Sequence, residues 1–208
     1  MPCRKPPTMN RLFTLMFLLP HLGSFSQATN LERLFIERVN ILRDSVQSPP
    51  LVNMEEYRMV SYNHANYIIR NNDVSHTQKN TRFPSHLDRC EWFGGGDISC
   101  NAEIVTWNTV EQHNDTVVVD LLIESFMSSK PHRYFLLSYL NRSCTVGIYH
   151  SLRQNACVVN FANAHAGNKY EKYNWWTLDA TEEESELMRT ATERFEAFYI
   201  RYYDVQEE

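Results

Sequence analysis

Several common features are scarce in this 208-residue sequence, and each scarcity excludes a class of protein. The apolar run near the N-terminus is shorter than the ~20 residues that span a bilayer. Lys and Arg number 20 against 25 Asp and Glu, so the net charge of −5 excludes nucleic acid and anionic membranes as expected partners. The cysteines lack the C-x-x-C spacing typical of thiolate zinc sites. Repeats and low-complexity segments are also missing, which argues against disorder.

The first residues have the features of a secretory leader. Arg11 supplies a positive charge, residues 12–20 (LFTLMFLLP) are apolar, and Ser24-Phe25-Ser26 places small residues where a signal peptidase cleaves. We therefore predict a signal peptide over residues 1–26, with Met9 as an alternative start, in preference to a stable membrane anchor. The mature protein is then extracellular, or periplasmic in a bacterium.

The rest of the chain fits one domain with an extension. At 43% hydrophobic and 12% aromatic, the sequence has ample material for a core. We predict a domain over residues 27–167 and a C-terminal extension over residues 168–208. In the extension, a capping box at residues 181–184 precedes an apolar stripe at helical spacing, which predicts an amphipathic helix. That helix docks on its own domain or forms a dimer or partner surface, and the sequence leaves the oligomeric state open.

Hydrophobic periodicity predicts an α+β fold, in which helices pack on a small antiparallel sheet. Helices are expected first, with Asn30 as the N-cap of the first, and short strands between and after them. The predicted helices cover residues 31–48, 54–70 and 109–126, and the predicted strands cover residues 103–107, 145–149 and 156–161.

Four cysteines follow the predicted leader, and export favours disulfides. If the hairpin turn between the last two strands centres between His150 and Ser151, Cys144 lies opposite Cys157, close enough for a bridge. Cys90 and Cys100 are then paired by elimination. Four buried free thiols remain the alternative.

A series of short motifs stands in a fixed order over about residues 31–162. The motifs are Asn40-Ile41-Leu42-Arg43, Pro50-Leu51, Tyr62 to Ile68, Ser75-His76, Ala102-Glu103, Phe126 to Arg133, Val146-Gly147-Ile148 and Val158-Val159-Asn160-Phe161. Together they resemble the CAP superfamily, which groups cysteine-rich secretory proteins, antigen five and plant pathogenesis-related group 1 proteins and is defined by the SCP domain. The resemblance implies a three-layer α-β-α sandwich and a cavity containing His76, Glu103 and His132.

The chain departs from the family pattern near the cavity. Ser129 stands where many animal and plant members have a second cavity Glu, and it is a candidate cavity residue. Glu124 is close in sequence, at the edge of the apolar face of the predicted helix, and is a weaker candidate. Phe126 replaces the family's Trp.

Three functions are consistent with these residues. Two imidazoles and a carboxylate can hold zinc or another divalent metal, with His76 and His132 as ligands and Glu103 as a catalytic base in a zinc-assisted hydrolase. The same residues can form a purely structural network. The resemblance favours a third function, an exported, non-catalytic binding module for a small lipophilic ligand or a protein partner, since no nucleophile motif or oxyanion hole is recognisable.

Two sequons, Asn114-Asp115-Thr116 and Asn141-Arg142-Ser143, are glycosylation acceptors in a eukaryotic host. The remaining histidines have no matched spacing, and surface or locally hydrogen-bonded roles are expected for them. They are His64, His86, His113, His150 and His165.

Overall fold

A computed structural model describes residues 29–109 and 114–174 of the chain. The predicted signal peptide, His113 and the predicted C-terminal helix lie outside these residues.

The described part forms an α+β unit with five α-helices and a four-stranded mixed sheet. The helices are α1 (Asn30–Ser45), α2 (Met59–Asn71), α3 (His86–Gly94), α4 (Asp115–Ser128) and α5 (Lys130–Leu137), and the strands are β1 (Val52–Asn53), β2 (Ile98–Thr109), β3 (Ser143–His150) and β4 (Gln154–Ala164). Short 3₁₀ turns cover Glu55–Tyr57 and Glu171–Tyr173.

The sheet lies between two layers of helices, as the predicted sandwich requires. Its strand order is β1-β3-β4-β2, with β1 parallel to β3 and the other neighbours antiparallel. Helices α2 and α3 pack on one face, while α1, α4 and α5 form the opposite layer. Strand β4 is buried at nearly every position because helices cover both of its faces. Within the described ranges, no helix is long and apolar enough to cross a bilayer.

Several predicted element boundaries were wrong. Helix α1 is capped by Thr29 rather than Asn30, because the Thr29 side chain and Glu32 form a reciprocal capping box. Strand β2 continues to Thr109, so the following helix starts later than predicted, after its N-cap Asn114. Helices α3 and α5 were not predicted from the sequence, and each has fewer than ten residues.

The Asn40 to Arg43 motif has a structural role. Asn40 bonds both backbone groups of Leu51, which fixes the chain as it enters β1. Buried Arg43 donates hydrogen bonds to four backbone carbonyls, and burial lowers its pKa to about 10. These carbonyls belong to Pro49, Leu136, Ser138 and Asn141. The guanidinium therefore fastens the end of α5, the helix that carries His132, to α1.

Helix α2 approaches the sheet closely at Gly147 of β3. A Cβ atom at this position would lie 2.1 Å from the backbone nitrogen of Tyr62. Beside this contact, the Ser61 hydroxyl bonds Thr145 and accepts a hydrogen bond from the Asn160 side chain. A glycine and a buried polar network thus set the position of α2 on the sheet.

One of the two predicted disulfides is confirmed. Cys90 of α3 and Cys100 of β2 are bonded, with their Cα atoms 6.0 Å apart. The Cys144–Cys157 bridge was wrong, since both residues are buried free thiols. The hairpin turn lies further along the chain than predicted. In the observed register of β3 and β4, Cys157 is therefore opposite Ile148, and Cys144 is opposite Phe161.

Candidate functional site

Glu103 is the centre of the candidate site. It projects from β2 just after a register shift between Cys100 and Ala102, and its side chain is 1% exposed. The Oε1 atom is 3.2 Å from Nδ1 of His76, and Oε2 accepts a hydrogen bond from Nη2 of Arg89 at 2.7 Å. Both carboxylate oxygens are therefore engaged by side chains of the protein itself.

These contacts keep the Glu103 carboxyl ionised despite its burial. Burial alone raises its pKa, but the hydrogen bond from His76 and the positive charge of Arg89 outweigh this effect. The net pKa lies below the usual value for a glutamate. Glu103 is thus a fixed negative charge, neutralised locally by the guanidinium of Arg89.

Arg89 connects Glu103 to the α2–α3 loop (residues 72–85). It lies on α3, directly before the bridged Cys90, and is fully buried. Its Nη1 atom donates to the carbonyls of Phe83 and Pro84 at 3.4 and 3.2 Å, and its Nη2 atom reaches the carbonyl of His76 at 3.4 Å. One buried cation therefore fixes both the carboxylate and the backbone of the loop that carries His76.

His64 supports the same loop from α2. Its Nε2 atom is 2.6 Å from the carbonyl of Ser75, so this nitrogen carries the proton, and Nδ1 accepts a hydrogen bond from the Gln78 side chain at 3.2 Å. Burial lowers the His64 pKa to about 4, although the charge of Glu103 opposes the shift. His64 is therefore a neutral structural histidine, which agrees with the locally bonded role predicted for it.

His76 lies at the mouth of the site, with its side chain 53% exposed. The ionised Glu103 can only accept a hydrogen bond, so Nδ1 of His76 is the donor. The Nε2 atom of the ring is consequently directed away from Glu103. This leaves the outer nitrogen of His76 to meet a ligand.

His132 and His86 approach the same region from other elements. His132 lies on α5, with its ring edge-on to Phe126 at a centroid distance of 5.6 Å. Burial lowers its pKa, and the charge of His76 lowers it further. Burial also lowers the pKa of half-buried His86, which interacts electrostatically with Glu103, Arg89 and His76. Both imidazoles therefore favour the neutral form.

The other candidate cavity residues lie at the edge of this arrangement. Glu124 is exposed on α4. Half-buried Ser129 is the junction between α4 and α5, where its N–H bonds the carbonyl of Phe126 and its carbonyl accepts from the N–H of Arg133. The backbone of Ser129 thus sets the angle at which α5 presents His132.

Sequence reasoning missed Arg89 and the contribution of His64 and His86. Arg89 has no motif of its own, because it reaches Glu103 only through the fold of the α2–α3 loop. One signal was present: Ser85 and Asp88 form a capping box, which marks the start of a helix carrying Arg89.

The surroundings of Glu103 disfavour a metal ion bound directly to its carboxylate. Each of the two oxygens already accepts a hydrogen bond, one from a guanidinium and one from an imidazole, and a metal ion would compete with these contacts. A bound cation would also lie close to the positive charge of Arg89. Over residues 29–109 and 114–174, no cluster of three or more His, Cys, Asp and Glu is placed to hold a metal ion.

Exposed apolar side chains lie on the α2–α3 loop and on α3. Val74, Leu87 and Trp92 are each about half exposed. The Trp92 ring packs on Phe83 at a centroid distance of 5.3 Å, and the guanidinium carbon of Arg82 lies 3.7 Å from its centre. This apolar rim, formed by Val74, Phe83, Leu87 and Trp92, occupies the same loop and helix as His76 and Arg89.

Comparisons with known proteins give likeness at the level of fold. No family model and no curated protein matches the sequence. Among solved structures, the chain is similar to an extracellular SCP-domain protein from Bacillus anthracis, with 22% identity and a TM-score of 0.46 over 62% of this chain and 40% of that one. It is also similar to an outer surface protein from Borrelia burgdorferi, with 12% identity and a TM-score of 0.47 over 62% of this chain and 91% of that one.

A third similar structure is a cysteine-rich secretory protein from Staphylococcus aureus, with 16% identity and a TM-score of 0.41. That match covers 64% of this chain and 39% of the other. The chain thus spans about two fifths of the length of the Bacillus and Staphylococcus proteins. The described residues have the α+β fold that the sequence predicts.

Proposed function

We propose that this chain is an exported CAP-type binding module. Its ligand site lies between His76 on the α2–α3 loop and His132 on α5, and it takes a small lipophilic molecule without needing a metal ion. The observation that carries the proposal is the position of the exposed apolar side chains. Of the six large hydrophobic residues exposed in the described ranges, three belong to the apolar rim on the α2–α3 loop and α3, the segment that also carries His76: Val74, Leu87 and Trp92.

The electrostatics of the site support an uncharged ligand. The charge of Glu103 is balanced by Arg89. Burial lowers the pKa values of His132 and His86, which favours their neutral forms. The polar groups of the proposed ligand site therefore carry no strong net charge. Apolar surface around a few directed polar groups is typical of small-molecule sites.

Binding of a fluorescent fatty alcohol, an uncharged lipophilic probe, in the presence of a chelator tests the proposal. We expect Leu87→Ser combined with Trp92→Ser to weaken binding about tenfold or more, since burying either side chain contributes about 1.5–3 kcal/mol. Leu152→Ser is the matched control, because Leu152 is 76% exposed in the β3–β4 turn, away from the apolar rim. Equal binding by the double variant and the control would contradict the proposal.

A zinc-assisted hydrolase is the second candidate, and one observation favours it. Glu103 orients His76 so that Nε2 faces outward, the orientation of an imidazole that ligates a metal ion while its other nitrogen donates to a carboxylate. A screen of ester, peptide and phosphoester substrates distinguishes the two functions. Zinc-dependent turnover that is lost in Glu103→Gln, with the fold preserved by circular dichroism, would replace the binding module with an enzyme.

A further inference from the structure

The two glycosylation sequons have different environments in the folded chain. Asn114 is the exposed N-cap of α4, where its Oδ1 atom accepts a hydrogen bond from the N–H of Val117 at 3.0 Å. Asp115 and Thr116 are also exposed. Because the cap hydrogen bond uses only the Oδ1 atom of Asn114, its Nδ2 atom is available for a covalent bond to a sugar.

Asn141, by contrast, is half-buried and held by hydrogen bonds. Its Nδ2 atom donates a hydrogen bond to the carbonyl of Phe135 at 2.7 Å, and its own carbonyl accepts one from Arg43 at 2.6 Å. The hydroxyl of Ser143, the third residue of this sequon, is buried and bonded to the carbonyl of Ala162. The amide nitrogen of Asn141 thus faces the end of α5, where a sugar would displace the bond to Phe135.

We propose that Asn114 is an N-glycosylation site of the folded protein in a eukaryotic secretory pathway, and that Asn141 is not. In the transfer step, Nδ2 of Asn114 forms a bond to the anomeric carbon of an oligosaccharide carried on a lipid diphosphate. The bond from that carbon to the diphosphate oxygen breaks, the diphosphate leaves with the electron pair, and the amide loses one proton to a base of the transferase. Oδ1 is unchanged, so the cap on α4 persists.

The glycan would lie away from the candidate ligand site. Asn114 precedes the first residue of α4, while Phe126, which contacts His132, lies near the other end of this helix. Twelve residues of α-helix separate these positions by about 18 Å. The modification is therefore compatible with an open site; it rests on the export of the chain in the proposed function and not on ligand binding.

The test is secretion of the full chain from a eukaryotic cell, followed by enzymatic removal of N-glycans. We expect the secreted wild type to show the mobility shift of one glycan, which Thr116→Ala abolishes. Thr116→Ser is the matched control, since it retains the sequon and should keep the shift. Both changes leave the Asn114 cap intact, so loss of the shift reports on the sequon rather than on folding.

Mapping of the modified asparagine in the secreted fraction completes the test. Deglycosylation in heavy-oxygen water marks the asparagine that carried the sugar, and we expect the mark at Asn114 alone. Secreted wild type without a glycan at Asn114, or with one at Asn141, would overturn the assignment.

Discussion

Glu103 is charged inside the protein because Arg89 is charged beside it. The hydrogen bond between them, at 2.7 Å, joins β2 to α3 with both side chains almost fully buried. A pair of this kind contributes little net stability when intact, but loss of one partner leaves a buried charge uncompensated. The two residues therefore have to be treated as a unit.

Arg89→Gln should lower the free energy of unfolding by about 3–5 kcal/mol at pH 7. Without the guanidinium, the folded-state pKa of Glu103 rises, so the deficit should shrink as the pH falls and the carboxyl is protonated. Chemical denaturation at pH 7 and pH 4.5 measures both effects. Arg33→Gln is the control, because the Arg33–Glu55 pair is exposed and should contribute about 0–1 kcal/mol. A similar small loss for both variants would show that Arg89 does not compensate Glu103.

His64 should make the protein less stable in mild acid. Its folded-state pKa of about 4 lies below the ordinary histidine pKa of 6.5, so the unfolded chain takes up the proton first as the pH falls. The stability from neutral His64 is fully present above about pH 6.5 and should decrease by about 3 kcal/mol by pH 4. The ionised Glu103 carboxylate also stabilises the folded state. This contribution decreases only as the pH falls below the usual pKa of a glutamate.

Denaturation curves from pH 7 to pH 4 test this contribution. His64→Gln should be less stable at pH 7 but should show a shallower decrease towards pH 4. His165→Gln is the control, since His165 is exposed and bonds Ser99 and Gly96 at the surface. An unchanged slope in His64→Gln would assign the acid sensitivity to other groups.

At the scale of elements, the close contact of α2 with β3 requires a residue without a side chain at Gly147. Gly147→Ala would place Cβ against the backbone of Ser61 and Tyr62, which cannot move without shifting α2. We expect a loss of about 3 kcal/mol or more in unfolding free energy, at the upper end of overpacking effects. Gly94→Ala is a graded control, because its Cβ would meet only the flexible Ile98 side chain, at 2.8 Å. Thermal unfolding should show Gly147→Ala as clearly the worse variant, and the reverse order would be inconsistent with this packing.

The cysteines offer a test of the hairpin register. Burial raises the pKa of the Cys144 and Cys157 thiols, so both should resist alkylation until the protein unfolds. Peptide mapping without reduction should recover a Cys90–Cys100 bridge and free thiols at Cys144 and Cys157. A Cys144–Cys157 peptide would require a different pairing of β3 with β4.

How far the sequence predicts each element depends on its length and on its neighbours. Periodicity located α1 and α2 well because each presents several turns to the core. The register of β3 and β4 was misjudged because residues 150–155 allow more than one turn position, and only packing selects between them. Helix α3 was missed because nine residues show too little periodicity.

For the whole molecule, the order of motifs was enough to predict the α+β class and the three-layer arrangement. The same motifs also predicted that His76 and Glu103 lie together, and these two side chains are in contact. Arg89 could not be found in this way, because its contact with Glu103 depends on the path of the α2–α3 loop. This single cation pairs the Glu103 carboxylate from within the protein.

The most direct measurement is equilibrium binding of a fluorescent fatty alcohol to the full chain, first with a chelator and then with added zinc. The account predicts saturable binding whose Kd is the same under both conditions, because Glu103 is already paired with Arg89. Binding that disappears in the chelator and returns with zinc, in a manner that requires His76 and His132, would contradict it.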